Sequence, residues 1–244
     1  MTKIIALTGG KGGSGKSTCS ILLSLAFAKQ QKKVLLVDMD EGMRCLDMLL
    51  GVSEELFLDL ADAVCGRDLE SCVLTPEKHP LISLLGAPAE KGLFSAEEFN
   101  RFAVGLESSD YDVAIFDLPA GSSKELYGAF PASAEFICVC NPNPVSVRDG
   151  ANIGSLLSDI GRKGYILLNR YQTHFIKNPV FASIDDIIDE TGLGLLGIVP
   201  ESDKLALAFL NGKFPKNGRA FRAFERIAKR LFGKNIALPT LKKI

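Results

Sequence analysis

LTGGKGGSGKST, residues 7–18, sets five glycines and two lysines into twelve positions. Gly10, Lys11, Gly12, Gly13, Ser14, Gly15, Lys16 and Ser17 fill the pattern GxxxxGK[ST], with Thr18 directly after it. The apolar run KIIALT (3–8) precedes the pattern, and a segment of helical spacing, GKSTCSILLSLAFAKQ, continues from it, which is the context the pattern requires. Glycines let the backbone turn tightly enough to aim its N–H groups at phosphate oxygens. The start of the following helix adds its positive end. Lys16 is placed to reach the terminal phosphates of a nucleotide, and the Ser17 hydroxyl to ligate Mg2+. One lysine satisfies this chemistry, and Lys11 is left over.

Outward from the loop, short apolar runs recur at KVLLVD (33–38), PLISLL (80–85), DVAIFD (112–117), EFICVCN (135–141), GYILLN (164–169) and GLLGIVP (194–200). They are nearly continuous rather than alternating, as expected of strands covered on both faces. Segments with helical spacing, such as SVRDGANIGSLLSDIG, separate them. The pattern predicts an α/β fold: a mostly parallel sheet of about seven to eight strands with helices on both faces. Residues 1–233 read as one domain, with 234–244 as a short basic tail.

The 244 residues are 47% hydrophobic, which suits a sizeable core and argues against disorder. No apolar run approaches the ~20 residues that cross a bilayer. The N-terminus reaches its glycines too soon for a secretory segment, so a cytoplasmic protein is expected. Six cysteines without ligand spacing fit reduced thiols. Net charge is −1 but unevenly spread. Ten basic residues follow position 212 (Lys213, Lys216, Arg219, Arg222, Arg226, Lys229, Arg230, Lys234, Lys242 and Lys243) against Glu225 alone, a net +9 that leaves −10 for the rest.

Two further segments carry acids at strand ends. In VLLVDMDEGMRCLDMLLG, Asp38 and Asp40 fall where open α/β sheets bind ligands. Asp47, further on, reads as a surface loop acid. In YDVAIFDLPAG, Asp117 ends an apolar strand, a position suited to ordering water around Mg2+.

With these segments in place, KGGSGKST resembles the deviant phosphate loop, KGGxGK[ST], of the MinD/ParA family of ATPases, and the motifs lie nearest the MinD branch. In that family the early lysine crosses a nucleotide-sandwiched dimer to the partner's phosphates, and Lys11 matches that position. The resemblance supplies the other assignments too. Asp40 would position the attacking water, and Asp38 would lie near the magnesium. Asp117 would order its water shell, and Gly121, in DLPAG, would sense the γ-phosphate. NPNPVSVRDGANI (141–153) resembles the segment that contacts partners and shapes the dimer face. Asn169 and Arg170 match the adenine-recognising pair, since a carboxamide can make two hydrogen bonds to adenine. VPESDKL (199–205) resembles the loop over that base, with Pro200 and Glu201 at the matching positions and one extra serine. No N-K-x-D run points to guanine. The likeness spans about residues 3–232.

It implies ATP and ADP with Mg2+ as ligands, an ATP-dependent homodimer, a protein activator or effector on the dimer face, and hydrolysis that separates the halves. Division-site placement, flagellar placement and DNA partition all use such an engine. A related metal-inserting group uses a CxC pair, which Cys138 and Cys140 could form, but their strand favours buried hydrophobes. His79 and His174 have no ligand-spaced neighbours and read as surface or loop residues. The helix RAFRAFERIAKRLF (219–232) has an apolar stripe (Phe221, Phe224, Ile227, Ala228, Leu231) opposite Arg219, Arg222, Arg226, Lys229 and Arg230. A core helix with a solvated face is the first reading. Contact with an anionic membrane, giving a peripheral location, or with DNA is the second. KNIALPTLKKI after it makes a poor membrane-targeting helix, unlike the family's usual one.

Overall fold

The computed structural model describes residues 1–41, 44–172, 183–210, 214–215 and 217–238. Gly42, His174, Lys213, Lys216, Lys242 and Lys243 lie outside the described residues. Seven strands build one sheet: β1 (Lys3–Thr8), β2 (Val34–Asp38), β3 (Ile82–Leu85), β4 (Val113–Asp117), β5 (Glu135–Cys140), β6 (Lys163–Tyr171) and β7 (Gly194–Pro200). Their order is β3-β2-β4-β1-β5-β6-β7, and every pairing is parallel. Among the described residues the one antiparallel contact is an isolated bridge between Leu74 and Leu84.

The alternation of sequence runs sets this arrangement, because a parallel neighbour demands a crossover and the crossovers are helical. The helices are α1 (Lys16–Ala28), α2 (Cys45–Leu50), α3 (Leu60–Val64), α4 (Leu69–Cys72), α5 (Ala96–Gly105), α6 (Lys124–Ala129), α7 (Pro144–Asp159), α8 (Ile184–Thr191), α9 (Asp203–Leu210) and α10 (Arg219–Leu231). Alternate strand residues face two separate cores. Ile5, Leu7, Leu36, Ile115 and Ile137 pack with Ile21, Leu22 and Phe27 of α1 and Phe224 and Ile227 of α10. Ile4, Ala6, Val37, Phe116 and Phe136 pack on the other face with Phe99 of α5, Tyr127 of α6 and Leu157 of α7. Burial of both strand faces is why the runs did not alternate.

α10 closes the first core against α1 and β7. A Cβ at Gly197 would come within 2.6 Å of Ile227, so β7 keeps a glycine where the helix crosses it. The amphipathic stripe expected for this helix is the buried one, with Phe221, Phe224, Ile227, Ala228 and Leu231 all inside. The solvated basic face, however, is smaller than expected. Arg230 donates from Nη1 to the Leu196 carbonyl at 2.6 Å and from Nε to that of Ile236 at 2.7 Å. A guanidinium that ties a helix to a strand end is part of the fold. Arg222 remains exposed, and Arg226 and Lys229 are half-buried.

Cys138 and Cys140 belong to the second core, under α7. A Cβ at Gly150 would meet their Sγ atoms at 3.7 and 3.9 Å. Burial pushes both thiols up, Cys140 to about 11, which opposes the thiolate form a metal needs. Among the described residues no cluster of His, Cys, Asp or Glu could hold a metal ion. His79 lies in the loop between α4 and β3, half-buried, its ring edge-on to Phe214 at 5.4 Å. Among the described residues no helix is long and apolar enough to cross a membrane.

Candidate functional site

Parallel register brings the C-terminal ends of β1, β2 and β4 to one edge. Asp38 pairs with Asp117 across β2 and β4, and Leu7 pairs with Asp117 across β4 and β1. The strand order reverses direction at β1, and such a switch point is where open α/β sheets leave a crevice for a ligand. The glycine-rich loop leaves β1 at that crevice and enters α1.

Gly15 stands at the N-cap of α1 with φ of 93°. A side chain there would be strained, and its Cβ would also lie 2.5 Å from Nδ2 of Asn169. Around the loop tip, Cβ atoms at Gly12 and Gly13 would meet nothing within 4 Å, so this side opens to solvent. The loop therefore has a packed inner half and an open outer half. Lys16 is 9% exposed, beneath the loop. Lys11 is exposed at the rim. Among the described residues no carboxylate pairs with the Lys16 ammonium. The buried Ser14 hydroxyl also has no hydrogen-bond partner among the described residues. A buried cation and an orphaned hydroxyl at a cradle of backbone turns fit a polyanion.

Asp117 is 1% exposed and accepts from the Ser20 hydroxyl at 3.0 Å. Burial, with the neighbouring Asp38 charge, raises its pKa to about 7, although Ser17, Ser20 and Lys16 all act to lower it. Asp38 is likewise raised by burial. Two carboxylates kept this close, with their charges costly, fit the surroundings of a divalent cation. Ser17 and Thr18 lie in the first turn of α1, and Ser17 is among the groups that act to lower the Asp117 pKa.

Asp38 also organises the chain that follows β2. Its Oδ1 accepts from the Asp40 amide and its Oδ2 from the Leu46 amide, both at 3.0 Å. This carboxylate is a tether that pins the segment carrying half-buried Asp40 to the end of β2. Asp47 is also different from the surface acid expected. It is 5% exposed, accepts from the Met48 amide at 2.6 Å and sits 3.4 Å from Nε of Arg44. Arg44 itself holds a left-handed φ of 44°, a strained conformation beside the site.

Of the remaining predicted residues, Gly121 and Asn169 touch the loop, and Arg170, Pro200 and Glu201 stand at the ends of β6 and β7. Gly121 donates its N–H to the Gly9 carbonyl at 3.3 Å, and its φ of 68° favours glycine. α7 packs on Gly10 so closely that a Cβ there would lie 2.2 Å from Asp149. Oδ2 of Asp149 and Oδ1 of Asn141 are both buried without a partner among the described residues. Asn169 donates from Nδ2 to the Ser14 carbonyl at 2.9 Å. Arg170 beside it is exposed, with φ of 52°. Pro200 pairs with Tyr171, and exposed Glu201 donates its amide to the Tyr171 carbonyl at 3.0 Å. Sequence reading missed Ser20 and Asp149 individually. Ser20 follows Ser17 by three residues on one helix face, a spacing that could have found it.

Known proteins are similar to this chain in sequence and fold. The family described as the CobQ/CobB/MinD/ParA nucleotide binding domain matches residues 5–215. The septum site-determining protein MinD of Bacillus subtilis (strain 168) is 33% identical, over 100% of this chain and 94% of that protein. MinD in the MinC:MinD cell division complex of Aquifex aeolicus superposes with a TM-score of 0.85 at 29% identity, over 98% of this chain and 99% of that one. MinD of Pyrococcus horikoshii OT3, complexed with Mg-ADP, gives 0.80 at 25% identity, over 96% and 97%.

Proposed function

The chain belongs to the CobQ/CobB/MinD/ParA nucleotide-binding domain family, and from that membership and the site geometry we propose that it is an Mg2+-dependent ATPase switch. Its reaction is transfer of the γ-phosphoryl group of ATP to water, releasing ADP and phosphate. The event it places is division-site selection, as the names of its relatives suggest. One observation carries the proposal: a buried lysine and two buried, charge-strained aspartates meet at one strand edge beneath a glycine loop.

Lys16 and the loop amides hold the triphosphate, where developing charge on the γ-phosphoryl group needs fixed donors. Ser17 would hold Mg2+ directly, with Asp117 and Asp38 beside it. The ion, when bound, supplies charge neutralisation on the phosphate oxygens. Asp40, fixed through Asp38, positions the water in line with the phosphoryl group, a contribution of orientation. Asn169 and Arg170, with Pro200 and Glu201 across β7, accommodate adenine. Lys11, on the open rim, extends to the phosphates of a second copy, so ATP joins two chains face to face. Departure of phosphate relaxes the Asp40 and Gly121 segments and separates them.

The segment 141–153 supports the same reading, because α7 rests on Gly10 and so meets the dimer face. A protein partner there is consistent with the complex formed by the Aquifex aeolicus relative. Any anionic surface, membrane or DNA, would meet α10 through Arg222, Arg226 and Lys229, since Arg230 is committed to the fold.

Phosphate release from Mg-ATP, followed for the wild type and for Asp40→Ala, tests the catalytic assignment. We expect a loss of tenfold or more. Equal, near-zero rates in both would reduce the protein to a nucleotide-binding scaffold.

A further inference from the structure

We infer that Asn169 is a positioning residue for the phosphate loop, acting before any base is bound. The inference rests on reading residues 10–17 as a phosphate cradle.

The first observation lies in β6. Register with β7 runs Leu168 to Ile198 and then Tyr171 to Pro200, so β6 spends one residue more than its neighbour. This is a β-bulge, and Arg170 absorbs it in the left-handed region at φ of 52°. Leu168 and Tyr171 both face the α7 core. In an unbroken strand Tyr171, three residues after Leu168, would turn to the opposite face. Asn169, next to Leu168, turns away from that core by ordinary alternation, and the bulge returns Tyr171 to it.

The second observation is the contact itself. Asn169 is 7% exposed and its Nδ2 lies 2.9 Å from the carbonyl of Ser14, 155 residues away in the chain. A carbonyl oxygen only accepts, so the carboxamide must present its NH2 end to the loop. The third is Gly15. Any Cβ there would collide with this Nδ2, so the left-handed glycine serves the staple as well as the turn. Ser14 directly precedes that glycine, and Lys16 follows it. Holding this carbonyl fixes the Ser14–Gly15 peptide plane and with it the direction of the Gly15 amide.

The staple also determines what remains for a base. One N–H and the Oδ1 acceptor are left, which complement the amino group and N7 of adenine. Guanine offers two acceptors on that edge and mismatches them. Phosphate and base subsites are thereby coupled through one side chain.

Hydrogen exchange of the nucleotide-free protein decides the matter, read on the amides of residues 10–17 in the wild type and in Asn169→Leu. Asn169→Asp, equal in size but lacking the donor, is the second variant should the first fail to fold. We expect loop amides to exchange several-fold to about tenfold faster in the variants, as loss of one hydrogen bond allows, with β4 and β5 amides unchanged. Calorimetry with Mg2+ and inorganic tripolyphosphate, a ligand with no base, should show a similar loss of affinity. Unchanged loop exchange overturns the inference, as does loss of affinity for ATP alone with tripolyphosphate binding intact. If the wild type binds no ATP, the ATPase reading fails, while the exchange result still decides the staple.

Discussion

The same strands end in two very different electrostatic settings. At the N-terminal edge of the sheet, Glu135 of β5 is flanked by Lys3 of β1 at 2.9 Å and Lys163 of β6 at 2.7 Å. Lys32 closes on Asp112 nearby at 2.8 Å. Burial acts to raise Glu135, but hydrogen bonds from Lys163 and Lys3 outweigh it, and its pKa is lowered. At the C-terminal edge, Asp38 and Asp117 stand side by side with raised pKa values, and Lys16 lies buried without an ion pair among the described residues. One edge has satisfied its charges internally. The other leaves them to be completed by something that binds, and that difference locates function more surely than any cavity.

Removing one lysine from each edge should give the widest separation. Lys16→Ala should weaken ATP binding by about a hundredfold, close to 3 kcal/mol for truncating a buried charged contact, with thermal stability little changed. Lys163→Ala should leave ATP affinity alone and lower stability by about 1 kcal/mol, since its partner is half-satisfied by Lys3. Calorimetric titration and urea unfolding measure the two effects. Equal losses of ATP affinity would erase the contrast.

A smaller effect, of opposite sign at the two edges, appears in stability against pH. Asp117 has a folded pKa above its unfolded one, so its charge destabilises the nucleotide-free protein. That penalty is absent below the unfolded pKa of 3.8 and complete above about 7. Asp117→Asn should therefore raise urea stability at pH 8, on the order of 1–3 kcal/mol, and should suppress phosphate release by more than tenfold. Glu135 has the reverse linkage: its stabilisation is present above the unfolded pKa and is lost as pH falls through the lower folded value. Glu135→Gln should cost about 1 kcal/mol at pH 7 and little in strong acid. Parallel pH profiles for Asp117→Asn and Glu135→Gln would contradict the assignment of the two edges.

Much of the C-terminal edge was legible because its determinants are local. The glycine loop, the strand before it and the helix after it are contiguous, and each acid closes an apolar run. Seven strand runs were likewise visible, since double-sided burial leaves continuous hydrophobes. What escaped the sequence depends on distant partners. The Asn169 staple joins residues 155 apart, and no local pattern announces it. Asp38 as a tether needed the position of the Leu46 amide. Asp47 is the exception, since its partners Arg44 and Met48 are local, and what the chain did not show is that its carboxylate would be buried. Arg230 looked like part of a basic face, since helical spacing fixes direction around an axis but not which carbonyls wait there.

Exposed Lys11 has a different proposed task from buried Lys16, namely reaching the nucleotide held by a second copy. Molar mass by light scattering tests this most directly, using Asp40→Ala to slow turnover and Asp40→Ala/Lys11→Ala as its partner. With Mg-ATP the first variant should double in mass, with ADP it should not, and the second should remain single with either nucleotide. Doubling that survives loss of Lys11, or no doubling in the first variant, would contradict the account.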